Sequence, residues 1–223
     1  HLSRSVKIIL RAHNIEHKIW KDLANSTIIN KIPYLFLAKQ IKKIEHTAPK
    51  DVDYILTLSE FDKQYFSKLF PNKTHNLPVT FELKSICKTK IKNSIFHLGA
   101  MDWKPNIEGV NWFIKNVLPK IEKNTKNIKT YLAGKQMPKK YMHYTNKKTT
   151  IEGKVKNAQE YMQNKEIMFV PLFSGSGIRI KILEGMSLGI PIVSTTKAAE
   201  GIPYENNKNI LIANTPDEFE EAI

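Results

Sequence analysis

Arg179, Lys181 and Glu184 follow directly on a loop of small residues, Ser174-Gly175-Ser176-Gly177, and residues of these types in this order suit a bound phosphate. Glycines let a backbone come close to a ligand. The first turn of a helix has N–H groups with no intrahelical partner, and the macrodipole makes that end positive. A glycine loop leading into a helix is therefore an anion site. The sequence predicts that Arg179 and Lys181 add two cations to the same turn, next to Ile178. Glu184 stands three residues after Lys181 and shares its helix face. A carboxylate beside a phosphate is unfavourable unless it accepts hydrogen bonds from sugar hydroxyls, as the acidic residue of dinucleotide folds does. The alternative is an ordinary strand-to-helix turn with Lys181 and Glu184 as a surface pair.

Other loops carry further candidates. Gly99 to Asn106 includes Lys104, Gly134-Lys135 ends another apolar run, and His13-Asn14-Ile15-Glu16-His17 follows the first one. Ligands of open α/β sheets collect outside strand carboxyl ends. His13 is placed there, either for chemistry or to cap a helix. Asn14 is a candidate helix cap, and Glu16 and His17 read as solvated helix positions.

The elements that must position these groups alternate between strand and helix. Ile167–Leu172 is a buried strand, Ile178–Leu188 a helix stopped by Gly189, and Ile190–Ser194 a second strand, which makes one βαβ unit. Upstream, Val6–Ala12 reads as a buried strand, and Tyr54–Leu58 and Asn76–Val79 as two more. A helix from Pro33 to about His46 carries Leu37, Ile41 and Ile44 at helix spacing and exposes Lys39, Lys42 and Lys43. Ser59 opens a helix through Leu69. Further on, Ser94–Leu98, Ile128–Ala133, Thr149–Val155 and Asn209–Ala213 read as strands. Val110, Phe113, Ile114, Val117, Leu118 and Ile121 fit one amphipathic helix, Asn157 caps a short one, and Thr215 with Glu218 forms a capping box around Pro216. Alternation implies parallel sheets in α/β layers. Residues 1–80 and 94–223 read as two Rossmann-like domains joined by a linker at 81–93. The first has three strands and reads as incomplete. The chain starts at His1 rather than Met and ends inside a helix, so a fragment is expected.

The balance of 35 Lys+Arg against 21 Asp+Glu gives a net charge of +14, which suits anionic ligands, an acidic membrane surface or nucleic acid. The lysines are spread along the chain without an aromatic-interleaved basic block, so no nucleic acid is expected. The lysine run of Lys39, Lys42 and Lys43 could touch an acidic membrane or be a plain solvated face. No apolar stretch approaches the roughly 18 residues of a membrane span. Cys87 is the only cysteine, which fits a reducing compartment and excludes an internal disulfide. No metal-ligand spacing occurs, so neither metal nor cofactor is expected.

The run VPLFSGSGIRIKILEGMSLGIPIVST resembles the donor-binding segment of retaining glycosyltransferases of the GT-B fold, family 4. Their pattern has two glutamates. The second matches Glu184, whereas the first falls at Ser176, and the loop with its Arg-x-Lys pair is similar to a subgroup with a "GxGxRxKxLE" form. The stretch HNxE at His13, the DYILTLSE stretch ending at Ser59, and the T-x-x-A-x-E-G turn at Thr195–Gly201 resemble other parts of the family. The resemblance implies two Rossmann-like parallel-sheet domains of GT-B type. It implies a UDP- or GDP-linked nucleotide sugar as donor, with its diphosphate at Gly175–Lys181, Lys104 nearby, and Gly99, Gly134 and Lys135 lining the donor site. Backbone groups at Lys154 and Val155 would meet the base and Glu184 the ribose. Arg179 and Lys181 would neutralise the leaving diphosphate, and His13 would lie near the transferred sugar. Met101 stands where members often carry an arginine. The implied function is transfer of a sugar, with retention, to a glycan or lipid-linked acceptor. A cytoplasmic site peripheral to the membrane, and a homo-oligomer, complete the expectations. A nucleotide-sugar epimerase of the same fold, or a basic nucleic-acid-binding protein, is the alternative.

Overall fold

The computed structural model describes residues 6–25, 29–82, 89–125 and 127–223. Cys87 and residues 83–88 of the expected linker lie outside them. The chain divides into two compact units, and the first comprises residues 1–80 together with the short segments 174–179 and 200–203. The expectation of two contiguous domains did not contain those segments.

The first unit is a three-stranded parallel sheet in the order β1-β2-β3, formed by Ile9–Ala12, Tyr54–Thr57 and Thr74–Asn76. Ile9 pairs with Tyr54 and Ile55 with Thr74. Helices α1 (Glu16–Asn25) and α2 (Lys31–Thr47) connect β1 to β2, and α3 (Glu60–Leu69) connects β2 to β3. Ala12, Ile15, Ile55 and Phe66 form its core. Ser59 caps α3 by accepting the Asp62 amide, which satisfies a first-turn donor.

Four expectations change here. The buried strand Val6–Ala12 is shorter, and Ile8 and Ile9 are exposed, because β1 pairs only with β2 among the described residues. Helix α1 begins at Glu16, so Asn14 stands one residue ahead of the cap position. His17 is not solvated: its Nδ1 lies 2.5 Å from Glu45 Oε2 and ties α1 to α2. Leu37 and Ile44 do not form the inward stripe of α2. Ala38 is its buried residue, flanked by half-buried Tyr34, Ile41 and Glu45, so the small side chain and the His17–Glu45 pair set the helix face.

The second unit is a six-stranded parallel sheet, ordered β6-β5-β4-β7-β8-β9. Its strands are β4 (Ser94–Leu98), β5 (Lys129–Ala133), β6 (Thr149–Ile151), β7 (Ile167–Val170), β8 (Ile192–Ser194) and β9 (Leu211–Ile212). Helices α4 (Lys104–Trp112) and α5 (Leu118–Asn124) follow β4. Then come α6 (Ala158–Gln163), α7 (Ile180–Ser187) and α8 (Pro216–Ala222). The single amphipathic helix expected over Val110–Ile121 is interrupted by a π turn at Phe113–Val117. Pro119 has no N–H for the regular bond to Lys115, and the Leu118 amide instead donates to the Phe113 carbonyl. All six apolar residues of the predicted stripe are nevertheless buried. Phe113 stacks on Phe169 of β7 with ring centres 3.9 Å apart, and Phe219 of α8 meets Phe113 edge-on.

Two local features fix this unit. A Cβ on Gly134, just past β5, would stand 1.7 Å from the Gly99 carbonyl oxygen just past β4, so neither strand end has room for a side chain there. Lys165 is buried against the Tyr161 ring, 3.3 Å from its centre, and donates to the Tyr161 carbonyl (3.2 Å) and Asn164 Oδ1 (2.9 Å). Burial lowers its pKa to about 8.

Gly134→Ala forces backbone apart and should lower stability by about 3 kcal/mol in urea unfolding. Above pH 8 folded Lys165 loses its proton while the unfolded lysine keeps it, so stability should rise with pH from about 8 to about 10.5. Lys165→Met should flatten that rise, measured by thermal unfolding across the interval.

Candidate functional site

The candidate residues fall into one group in each unit. In the second unit they gather at the carboxyl ends of β4, β5 and β6 and at the start of α7. Helix α7 begins at Ile180, two residues later than expected, and Lys181 is in its first turn. Its Nζ donates to the Leu98 carbonyl at the end of β4 (3.1 Å) and to Asn106 Oδ1 (2.9 Å). Asn106 is buried near the start of α4, and its Nδ2 donates to the Ala100 carbonyl (2.8 Å). One amide thus joins the lysine to the loop between β4 and α4. A Cβ on Gly99 would stand 2.9 Å from the Asn106 side chain, so Gly99 leaves that amide its space.

The backbone N–H of Gly99 donates to Ala133 and that of Gly134 to Gly153. These two glycines serve close packing of strand ends, and their amides bond to the protein itself. Lys104 is the first residue of α4, with its Nζ 3.9 Å from Glu108. Lys135 lies 3.3 Å from Asp102. Met101, at the position where the resemblance allows an arginine, is buried in the core. Glu184 is half-buried on α7, one turn after Lys181, and Gly189 ends the helix region with φ of 64° as its sequence position suggested. Lys154 and Val155 lie beyond β6, which ends at Ile151 rather than Val155. Lys154 is exposed and Val155 half-buried.

His97 on β4 is fully buried, and its Nδ1 donates to the Phe169 carbonyl (3.0 Å). Because that oxygen only accepts, Nδ1 carries the proton. Burial, reinforced by the charge of Lys181, holds its pKa well below the usual histidine range, so the ring stays neutral beside the lysine.

In the first unit, the segment Ser174–Arg179 holds the glycine loop. Arg179 was expected on the first turn of α7 beside Lys181. It instead precedes the helix and is buried, with 5% of its surface exposed. Its Nη1 donates to the Ser176 carbonyl (2.6 Å) and also to that of Gly177, and Nη2 reaches the Ser174 carbonyl at 3.5 Å. Gly175 and Gly177, at φ of 98° and 80°, turn the chain so that these carbonyls converge on the guanidinium. Burial lowers the arginine pKa to about 10, opposed by Glu200, Asp22 and Asp62. Its charge is therefore engaged by loop carbonyls and carboxylates. Gly177 also approaches the residues after β1: a Cβ there would stand 2.6 Å from Asn14 Cβ and 3.1 Å from the His13 carbonyl. The His13 side chain is exposed at the end of β1. Asp62 is buried, which raises its pKa, and it accepts from Ser59 Oγ at 2.7 Å.

Sequence reasoning missed Asn106 and Asp62. The signal for Asn106 was a polar residue in the first turn of the helix that follows a strand, two residues after Lys104. Asp62 was hidden as an ordinary first-turn acid. Among the described residues no group of three His, Cys, Asp or Glu side chains could hold a metal, and no helix is long and apolar enough to cross a membrane.

Solved structures of similar shape share this fold, which is of GT-B type. TarM of S. aureus (a mutant in complex with fondaparinux, alpha-GlcNAc-glycerol and UDP) matches with a TM-score of 0.69 at 14% identity, over 98% of this chain and 43% of that one. Anabaena HepE, in complex with UDP and glucose, matches with a TM-score of 0.62 at 12% identity, over 98% of this chain and 60% of that one. A sucrose-phosphate synthase of Thermosynechococcus elongatus matches with a TM-score of 0.67 at 12% identity, over 96% of this chain and 56% of that one. The chain belongs to the family described as glycosyl transferases group 1, whose model matches residues 92–223. A 44.6 kDa protein in the cps region of Klebsiella pneumoniae is 25% identical over 220 residues, 92% of this chain. The chain spans 56% of that relative's length.

If Asn106 holds Lys181 as the distances indicate, the two should be coupled. A double-mutant cycle of Asn106→Ala and Lys181→Ala, read by urea unfolding, should give a coupling of about 1 kcal/mol.

Proposed function

We propose that the protein is a retaining glycosyltransferase that moves a hexose from a nucleotide-diphospho-sugar to a glycan or lipid-linked acceptor. The observation that carries this reading is Lys181, held in the first turn of α7 at the end of β4 with Glu184 one turn further on. A diphosphate at this position meets an ammonium and the positive end of a helix. Glu184 is then the acceptor for ribose hydroxyls, and Lys104 is a second cation at the start of α4. The backbone at Lys154 and Val155 is assigned to the base. When the bond from the anomeric carbon to the diphosphate breaks, negative charge grows on the leaving group, and fixed cations stabilise it most at that moment. Arg179 has a different role here: it shapes the loop through its carbonyls. His13 is assigned to the acceptor side of the reaction.

Support comes from the relatives. Structures of TarM and HepE hold UDP, and the Klebsiella relative is encoded in a cps region, which favours a UDP-linked donor and polysaccharide assembly. Because the chain spans about half of that relative, the activity is assigned to the full-length protein.

Calorimetric titration of the full-length protein with UDP, GDP and ADP should show saturable binding of one of them. Glu184→Ala should weaken it about tenfold, the effect of losing hydrogen bonds to a charged acceptor. A folded protein that binds none of the three would sink the proposal. Interconversion of the donor sugar without an acceptor would point to an epimerase instead.

A further inference from the structure

Helix α2 carries the least covered apolar side chains of the described residues. Just before and within it, Ile29 is 91% exposed, Ile32 81%, Phe36 61% and Ile44 60%. At 100° per residue, Ile32, Phe36, Lys39 and Lys43 fall in one line on the side opposite buried Ala38. The outward face is thus apolar over its first two turns and basic over the rest. Lys31, Lys39, Lys42 and Lys43 are all exposed, and Lys39, Gln40, Lys42, Lys43 and His46 line one surface depression. Glu45 is the only acid on the helix, and it faces inward against His17. No other carboxylate of α2 competes for an anion on this face.

We propose that the outward face of α2 docks on an anionic lipid bilayer. Exposed isoleucine and phenylalanine at one end, with lysines beside them, match a surface whose hydrocarbon lies just below a layer of phosphates. Ile32 and Phe36 enter the acyl boundary while Lys39, Lys42 and Lys43 stay at headgroup level, their stems along the apolar surface. A second copy of the same face is a poor occupant, because each would bring Lys39 and Lys43 against the same pair. An acidic peptide would satisfy the lysines and leave Ile29, Ile32 and Phe36 in water. The net charge of +14 adds long-range attraction to an anionic surface.

The test is sedimentation of the full-length protein with vesicles of phosphatidylcholine alone and of phosphatidylcholine with about one-third phosphatidylglycerol. Binding should be at least about tenfold stronger to the anionic vesicles and should fall with salt. Ile32→Glu with Phe36→Glu should abolish it, and Lys39→Gln, Lys42→Gln and Lys43→Gln together should reduce it about tenfold. The lysine triple variant keeps the test decisive should the glutamates disturb folding. Absence of sedimentation, equal binding to both vesicles, or no response to either variant would overturn the proposal. So would a change in oligomeric state on substituting Ile32 and Phe36, which would assign the face to a second copy.

Discussion

Two strand ends in the second unit lie closer together than side chains allow. The Gly99 carbonyl occupies the place where a Cβ of Gly134 would be, and Gly99 in turn leaves space for the Asn106 amide. That amide reaches Lys181, so the start of α7 is set by the approach of β4 to β5. Each link is short and at least partly buried. A hydrogen bond between a charged ammonium and an amide away from water is strong, and leaving either partner unmade is costly. The neutral His97 beside the lysine avoids placing a second positive charge there. The candidate anion site is therefore a product of backbone packing first and of charge second.

Much of this was legible from residue patterns. The alternation of apolar runs with amphipathic segments predicted parallel sheets, and the stripe from Val110 to Ile121 is buried at every position. Ser59, Asn157 and Thr215 cap helices where their side chains suggested. Local chemistry sufficed because each cap acts within three residues. What was not legible required contacts distant in sequence. Nothing near Arg179 indicates that its guanidinium turns back onto carbonyls of residues 174–177. Nothing near His17 indicates Glu45 as its partner. The inward face of α2 was misjudged because hydrophobic spacing ranks Leu37 and Ile44 above Ala38, whereas close helix contact favours the small residue.

The separation of Arg179 from Lys181 alters how the Arg-x-Lys pair is understood. Two cations so close in sequence suggest a shared anion. Instead, one is ordered by loop carbonyls and carboxylates in the first unit, and the other by Asn106 in the second. A buried guanidinium with several acceptors is a device for fixing a loop of glycines, which otherwise has many conformations to lose on folding. Lysine could not replace it there, since its single ammonium cannot reach three carbonyls in a planar fork.

The π turn at Phe113–Val117 has a consequence for how this helical connection can vary in length. A π turn is equivalent to one residue added to a regular α-helix. It advances everything after it by one position relative to the core. Removing a single residue here would restore a regular spiral and leave Leu118 and Ile121 facing the sheet, whereas removing one from a regular stretch would turn everything after it by about 100°. Deletion within the π turn requires a change at Pro119, whose ring would meet the carbonyl four residues back in a regular spiral.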